Sequence, residues 1–175
     1  MKLKFLSNVD PVDFARCVDD SMDIEETLFI VVSKTFTTAE TMMNARVCRQ
    51  AIMSHYEAKA MDAQEAVSKH MCAVSTNLDG TKAFGIDDKN VFAFWDWVGG
   101  RYSVSSAVGL LPLSLNYGYD NIDKFLSGMS SVDRHFSQSK SDLPTLQNAP
   151  MMLGLIGFYN TYIAQIAARN ISPYQ

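Results

Sequence analysis

Ser33-Lys34-Thr35-Phe36-Thr37-Thr38 places four hydroxyls and one ammonium within six consecutive residues. Hydroxyls and an ammonium are donors suited to a phosphate or a carboxylate. The same residues also fit a plainer use, because Thr37 with Glu40 three positions later has the spacing of a capping box, and both readings fit the sequence. The second chemical stretch is Phe94-Trp95-Asp96-Trp97-Val98-Gly99-Gly100-Arg101-Tyr102-Ser103. Its glycine pair lets the backbone approach a ligand closely, and Arg101 then presents a planar fork of donors to an anion or to a developing negative charge. An ion pair from Arg101 to Asp96 or Glu40, holding loops together, is the structural alternative. Metal chemistry has little support. Cys17, Cys48 and Cys72 form no CxxC pair, and His55, His70 and His135 lack a second histidine at helical ligand spacing. The cysteines read as reduced, buried small hydrophobes, and no metal or cofactor is expected.

The elements that must position these residues alternate. Thr27-Leu28-Phe29-Ile30-Val31-Val32 is a short apolar run rich in β-branched residues, as in a strand covered on both faces. The hydroxyl stretch follows it and precedes a helix expected over 38–56, with Met42, Ala45, Val47, Ile52 and Met53 on its apolar face. The corner therefore lies at the carboxyl end of a strand and the amino end of a helix, where free N–H groups and the helix dipole favour a negative group. Upstream, Leu3 to Asn8 alternates weakly and is expected as a strand, and Asp10-Pro11 opens a helix that ends near Met22. Downstream, a short helix through 63–67 precedes a strand over 70–76. Thr76 or Asn77 caps a helix closed by Gly85, and 90–94 forms a fourth strand.

Strand–helix alternation predicts a doubly wound α/β domain, a parallel sheet with helices on both faces. In such sheets ligands bind beyond the carboxyl ends of the strands, where strand order reverses. Ser33 to Thr38, Ser75 to Asn77 and Trp95 to Ser103 all lie at such ends and can face one crevice. Beyond Ser103 the chain reads as helical: 103–115; then 119–138 with Ile122, Phe125, Leu126, Met129 and Val132 at helical spacing; a polar connection over 137–148 broken at Pro144; and an apolar C-terminal helix over 149–168.

With 175 residues and 47% hydrophobic content, one domain with a substantial core is expected. A net charge of -4 supplies no basic field for nucleic acid. No apolar run reaches the roughly 18 to 20 uninterrupted residues of a membrane span, and the N-terminus lacks a secretory core. A cytoplasmic protein with neither nucleic-acid nor membrane partners is the expectation.

Three blocks, Val32 to Thr41, Phe84-Gly85-Ile86-Asp87 and Phe94 to Ser103, together with Asn148-Ala149-Pro150, resemble the phosphoglucose isomerase family over essentially the whole chain. The resemblance implies a sugar-isomerase, flavodoxin-like fold over 1–175. It implies isomerisation of glucose 6-phosphate and fructose 6-phosphate, in glycolysis and gluconeogenesis, through an enediolate. In the family, hydroxyls matching Ser33, Thr35 and Thr38, with Thr37 and the adjoining main chain, hold the substrate phosphate, and Lys34 belongs to the same segment. Gly100 and Arg101 match the glycine and arginine beside the reacting carbons. The resemblance also implies a homodimer for the full-length enzyme.

The match departs from the family in ways that bear on catalysis. The family's glycine-serine phosphate contact precedes its match to Leu3–Asn8. Its general-base glutamate, in a Gly-Glu-Pro-Gly-type loop, and its ring-opening histidine and lysine follow the match to the last residues here. The sequence therefore reads as an incomplete segment of the enzyme that is inactive alone. A non-catalytic sugar-phosphate-binding module or inactive truncated paralogue is the alternative, and an interaction protein dimerising through its C-terminal helices is a third reading.

Overall fold

Short apolar runs become strands here because the sheet covers them. In the computed structural model, which describes residues 2–18, 22–138 and 149–163, three strands pair in parallel in the order β1 (Phe29–Val32), β2 (Met71–Val74) and β3 (Val91–Phe92). The register sets Phe29 opposite Met71, Val31 opposite Ala73, and Ala73 opposite Val91. Side chains alternate along a strand, so these residues share one face. That face packs on α2 (Ala39–Ala58) and α3 (Ala63–His70) through Met42, Ala45, Ile52, Ala66 and Val67. On the other face Cys72 and Val74 are buried at the centre, whereas Val32 and Phe92 at the edges are exposed.

The parallel α/β class expected from the sequence holds, with several differences in detail. Residues 3–8 form no strand, and Phe5 is 72% exposed. Weak alternation does not make a strand without a neighbouring edge to pair with. Strand order runs β1-β2-β3, with no reversal among the described strands. The fourth expected strand is reduced to Val91–Phe92. Helix α1 (Pro11–Cys17) starts from Asp10, whose side chain accepts from the Val12 amide, but stops short of Met22. On α2 the buried position is Cys48 rather than Val47, because burial follows 42, 45, 48 and 52.

Helix α4 (Leu78–Phe84) begins at Asn77, whose Oδ1 accepts from the Gly80 amide at 2.9 Å, and ends at Gly85 with φ 99°. That left-handed conformation suits glycine. His70 is used structurally. Its Nδ1 lies 2.8 Å from the Thr27 carbonyl, which can only accept, so Nε2 is left to accept from the Tyr56 hydroxyl at 2.7 Å. The ring thereby ties the approach to β1 onto α2.

The described chain divides into two compact units, residues 1–122 and 123–175. The first ends with a 3-10 helix (Gly100–Ser105), α5 (Ala107–Tyr117) and the opening of α6 (Tyr119–Gln138). A 3-10 segment stands where a continuous helix from Ser103 is expected. In the second unit the rest of α6 exposes Phe125, Met129 and Val132. There α7 (Ala149–Phe158) passes into a π-helical turn over Tyr159–Ile163. The expected continuation of this apolar helix to Ala168, and the connection around Pro144, lie outside the described residues. Among the described residues no helix is long and apolar enough to cross a membrane.

Burial pushes the thiols of Cys48 and Cys72 up to about 11, with Cys17 adding to the shift at Cys48. Both stay protonated at ordinary pH and inaccessible, whereas Cys17 is partly exposed. A thiol titration of the native chain near pH 8 is therefore expected to count Cys17 alone, with Cys48 and Cys72 reacting only after denaturation. Native labelling of Cys48 or Cys72, read by peptide mapping, would contradict this burial.

Candidate functional site

The chain leaves β1 through a tight corner. The Phe36 amide donates to the Ser33 carbonyl at 3.3 Å, and Phe36 adopts φ 55°. A left-handed aromatic residue costs on the order of 1 to 2 kcal/mol. Burial offsets it: Phe36 is 6% exposed and meets the Phe84 ring edge-on at 5.6 Å. Thr38 is then the N-cap of α2, and its side chain makes no capping hydrogen bond. The capping box expected at Thr37 and Glu40 does not form, because helix onset one residue later puts Glu40 at the second helical position rather than the third. Thr37 instead bonds Thr35, hydroxyl to hydroxyl, at 2.7 Å. The first amides of a 20-residue helix are thus left open beside the hydroxyl stretch. Ser33 adds a further unmet group. It is 4% exposed, and its hydroxyl has no hydrogen-bond partner. Such an orphan costs about 1 to 3 kcal/mol unless something fills it.

The three strand-end loops do converge. The Lys34 carbonyl accepts from the Thr76 amide at 2.9 Å, the Thr76 hydroxyl at 2.7 Å and the Ser75 hydroxyl at 3.1 Å, and Asn77 Nδ2 donates to the Thr35 carbonyl at 2.9 Å. The Lys34 ammonium reaches the third loop, donating to the carbonyls of Asp96 and Val98, the latter at 3.4 Å. Ser33, Lys34, Thr35, Thr37 and Thr38 therefore form one corner, cross-linked to both neighbouring loops.

In that third loop Trp95 to Val98 closes a turn, and the Ser103 hydroxyl donates to the Gly100 carbonyl at 2.7 Å. A pocket of about 410 Å³ is lined by Phe94, Trp95, Trp97, Tyr102 and neighbouring residues, with no carboxylate among them. Arg101 is exposed and, among the described residues, pairs with neither Asp96 nor Glu40, so its donors are uncommitted. Gly100 lacks any internal reason to be glycine. A Cβ there would meet nothing within 4 Å, and its φ is not positive. The space is open to an incoming group. Gly109, which the sequence reading passed over, is the opposite case: an added Cβ would lie 2.3 Å from the Val104 carbonyl oxygen. Only the fold reveals that contact; spacing gives no signal for it.

The class defined here is a parallel α/β domain whose strand-end loops bring hydroxyls, open helix amides and an unpaired arginine together. The family model for phosphoglucose isomerase matches residues 1–175, and the chain belongs to that family. It is 54% identical over 173 residues to the cytosolic A glucose-6-phosphate isomerase of Oryza sativa subsp. japonica, covering 99% of this chain and 29% of that protein. It is 55% identical to the cytosolic glucose-6-phosphate isomerase of Zea mays over the same shares. A crystal structure of a glucose-6-phosphate isomerase from Chlamydia trachomatis D/UW-3/Cx superposes with a TM-score of 0.58 at 34% identity, over 73% of this chain and 23% of that one. The chain thus spans about 29% of the length of its curated relatives.

The two glycines separate structure from ligand access. Gly109→Ala is expected to cost about 1 to 3 kcal/mol through backbone overlap, whereas Gly100→Ala should leave stability within about 0.5 kcal/mol or raise it slightly. Urea midpoints of the two variants check this. Equal losses would mean that Gly100 serves packing after all.

Proposed function

We propose that this chain supplies the phosphate-binding corner and the active-site arginine of an enzyme interconverting glucose 6-phosphate and fructose 6-phosphate, as one sugar-isomerase domain. The observation that carries the reading is the Ser33 hydroxyl, buried and unpartnered beside the open amino end of α2. A tetrahedral dianion offers oxygens to satisfy Ser33, Thr35, Thr37, Thr38 and the first helix amides together. With the phosphate held, the reacting carbons approach Gly100, whose missing Cβ leaves room. Proton transfer between C1 and C2 develops negative charge on the adjacent oxygens, and the uncommitted Arg101 guanidinium stabilises it. Isomerisation of this kind is acid–base chemistry within one substrate.

The proton itself needs a general base. No carboxylate lines the pocket or bonds to the hydroxyl corner or to Arg101 among the described residues. Catalysis in this reading requires a base from outside this arrangement, and the 175 residues alone bind substrate without turning it over. The same observation favours a second reading, a non-catalytic sugar-phosphate-binding module. The names of the rice and maize relatives support a cytosolic setting, and the family resemblance supports a place in glycolysis and gluconeogenesis and a homodimer in the full-length enzyme.

Glucose 6-phosphate should shift the amides of Ser33 to Thr41 in ¹H–¹⁵N spectra, and glucose at the same concentration should not. Ser33→Ala should weaken that binding about tenfold or more, since a hydrogen bond to a charged group is worth about 1.5 to 3 kcal/mol. Stability should not fall, because the orphan goes with the hydroxyl. Unchanged affinity in this variant would remove the main support for the site. Separately, turnover by the chain alone at or above roughly 0.01 to 1 s⁻¹ would overturn the expectation of inactivity.

A further inference from the structure

We propose that Lys34 is a positioning residue for the glycine-arginine loop and not a contact to the bound phosphate, an inference that rests on the isomerase reading only for what the loop then does. Lys34 sits in the hydroxyl corner, but its ammonium is turned away onto main chain. It donates to the carbonyls of Asp96 and Val98, 62 and 64 positions along the chain. Those two carbonyls are among the ones the loop leaves over. The Trp95 carbonyl is taken by the Val98 amide at 3.1 Å, the Gly99 carbonyl by the Tyr102 amide at 3.0 Å, and the Gly100 carbonyl by the Ser103 hydroxyl at 2.7 Å. Asp96 and Val98 have no such partner in the loop, and an ammonium with three rotatable donors matches two converging carbonyls.

The 3-10 helix behind this segment is seated on α5 where Val104 meets Gly109, but the stretch before it is weakly fastened. Trp95, Trp97 and Tyr102 are 70%, 75% and 76% exposed, so apolar burial contributes little to holding the loop, and a polar tie decides its position. The other end of Lys34 is rigid, since its carbonyl accepts three hydrogen bonds from Ser75 and Thr76. One residue thereby references the loop that carries Gly100 and Arg101 to the end of the central strand. The phosphate is left to neutral donors, namely hydroxyls and helix amides. A lysine spent in this way sets where Arg101 stands relative to the anion, and a displacement of about 1 Å there is costly to a reaction that depends on alignment.

Lys34→Met in the full 175-residue chain tests this, with inorganic phosphate as the probe. The phosphate dissociation constant should stay within about fivefold of the parent, while exchange of the Val98 and Tyr102 amides accelerates at least about tenfold as the loop loosens. In the parent, the Lys34 ¹⁵Nζ resonance should be protected from solvent exchange, and phosphate should leave it so. Should the methionine variant fold poorly, that resonance decides alone. Loss of more than about fivefold in phosphate affinity, unchanged loop exchange, or release of the Lys34 resonance on adding phosphate would each overturn the assignment. Failure of the parent to bind phosphate would count against the isomerase reading, and the exchange measurements would still decide whether Lys34 holds the loop.

Discussion

Burial of β2 on both faces is the constraint on which the rest of the first unit depends. Met71, Cys72, Ala73 and Val74 are all buried, so each of their amides and carbonyls must be paired by a neighbouring strand. The parallel neighbours that satisfy them bring three carboxyl ends to one side. The pairing also runs past the strands themselves: the Ser33 amide donates to the Val74 carbonyl, the Ser75 amide to the Phe92 carbonyl and the Thr76 amide to the Lys34 carbonyl. Loops that leave β1 and β2 are thus still part of the ladder when they begin to carry hydroxyls. The site inherits the rigidity of the sheet without lying inside it.

The corner is held in a form the chain alone would not favour. Phe36 keeps a left-handed backbone because its ring is trapped against Phe84, Ser33 keeps a buried hydroxyl without a partner, and α2 begins without a side-chain cap. Each is a small cost, and all three fall within a few residues of one point. A ligand that relieves the last two meets donors already aimed, so ordering does not have to be supplied at binding.

Much of this was readable in the sequence. Strand and helix types, the order of the elements, the Asn77 and Gly85 ends of α4 and the convergence of three strand-end loops follow from apolar runs, cap residues and the parallel class. What was not readable depended on partners distant in sequence or on a single-residue offset. Leu3 to Asn8 alternates like a strand but meets no sheet edge. Thr37 and Glu40 have capping-box spacing, yet the helix starts after Thr38, and only the backbone turn at Phe36 fixes that offset. The direction of the Lys34 side chain depends on carbonyls 62 and 64 residues away, and the need for glycine at 109 depends on a backbone crossing. The proposal of a phosphate comes from family resemblance, because hydroxyl spacing by itself left the choice open between phosphate and carboxylate.

A corner built from neutral donors has a kinetic consequence. The chain carries a net charge of -4, and its one lysine in the corner is engaged by carbonyl oxygens. Carbonyl oxygens leave that lysine's charge intact, and Arg101 is exposed and unpaired among the described residues, so a dianionic ligand still meets local positive charge. Encounter should lie in the ordinary range of roughly 10⁵ to 10⁷ M⁻¹s⁻¹ and slow as ionic strength rises. Residence, governed by short hydrogen bonds made only on arrival, would then carry nearly all of the discrimination between one sugar phosphate and another.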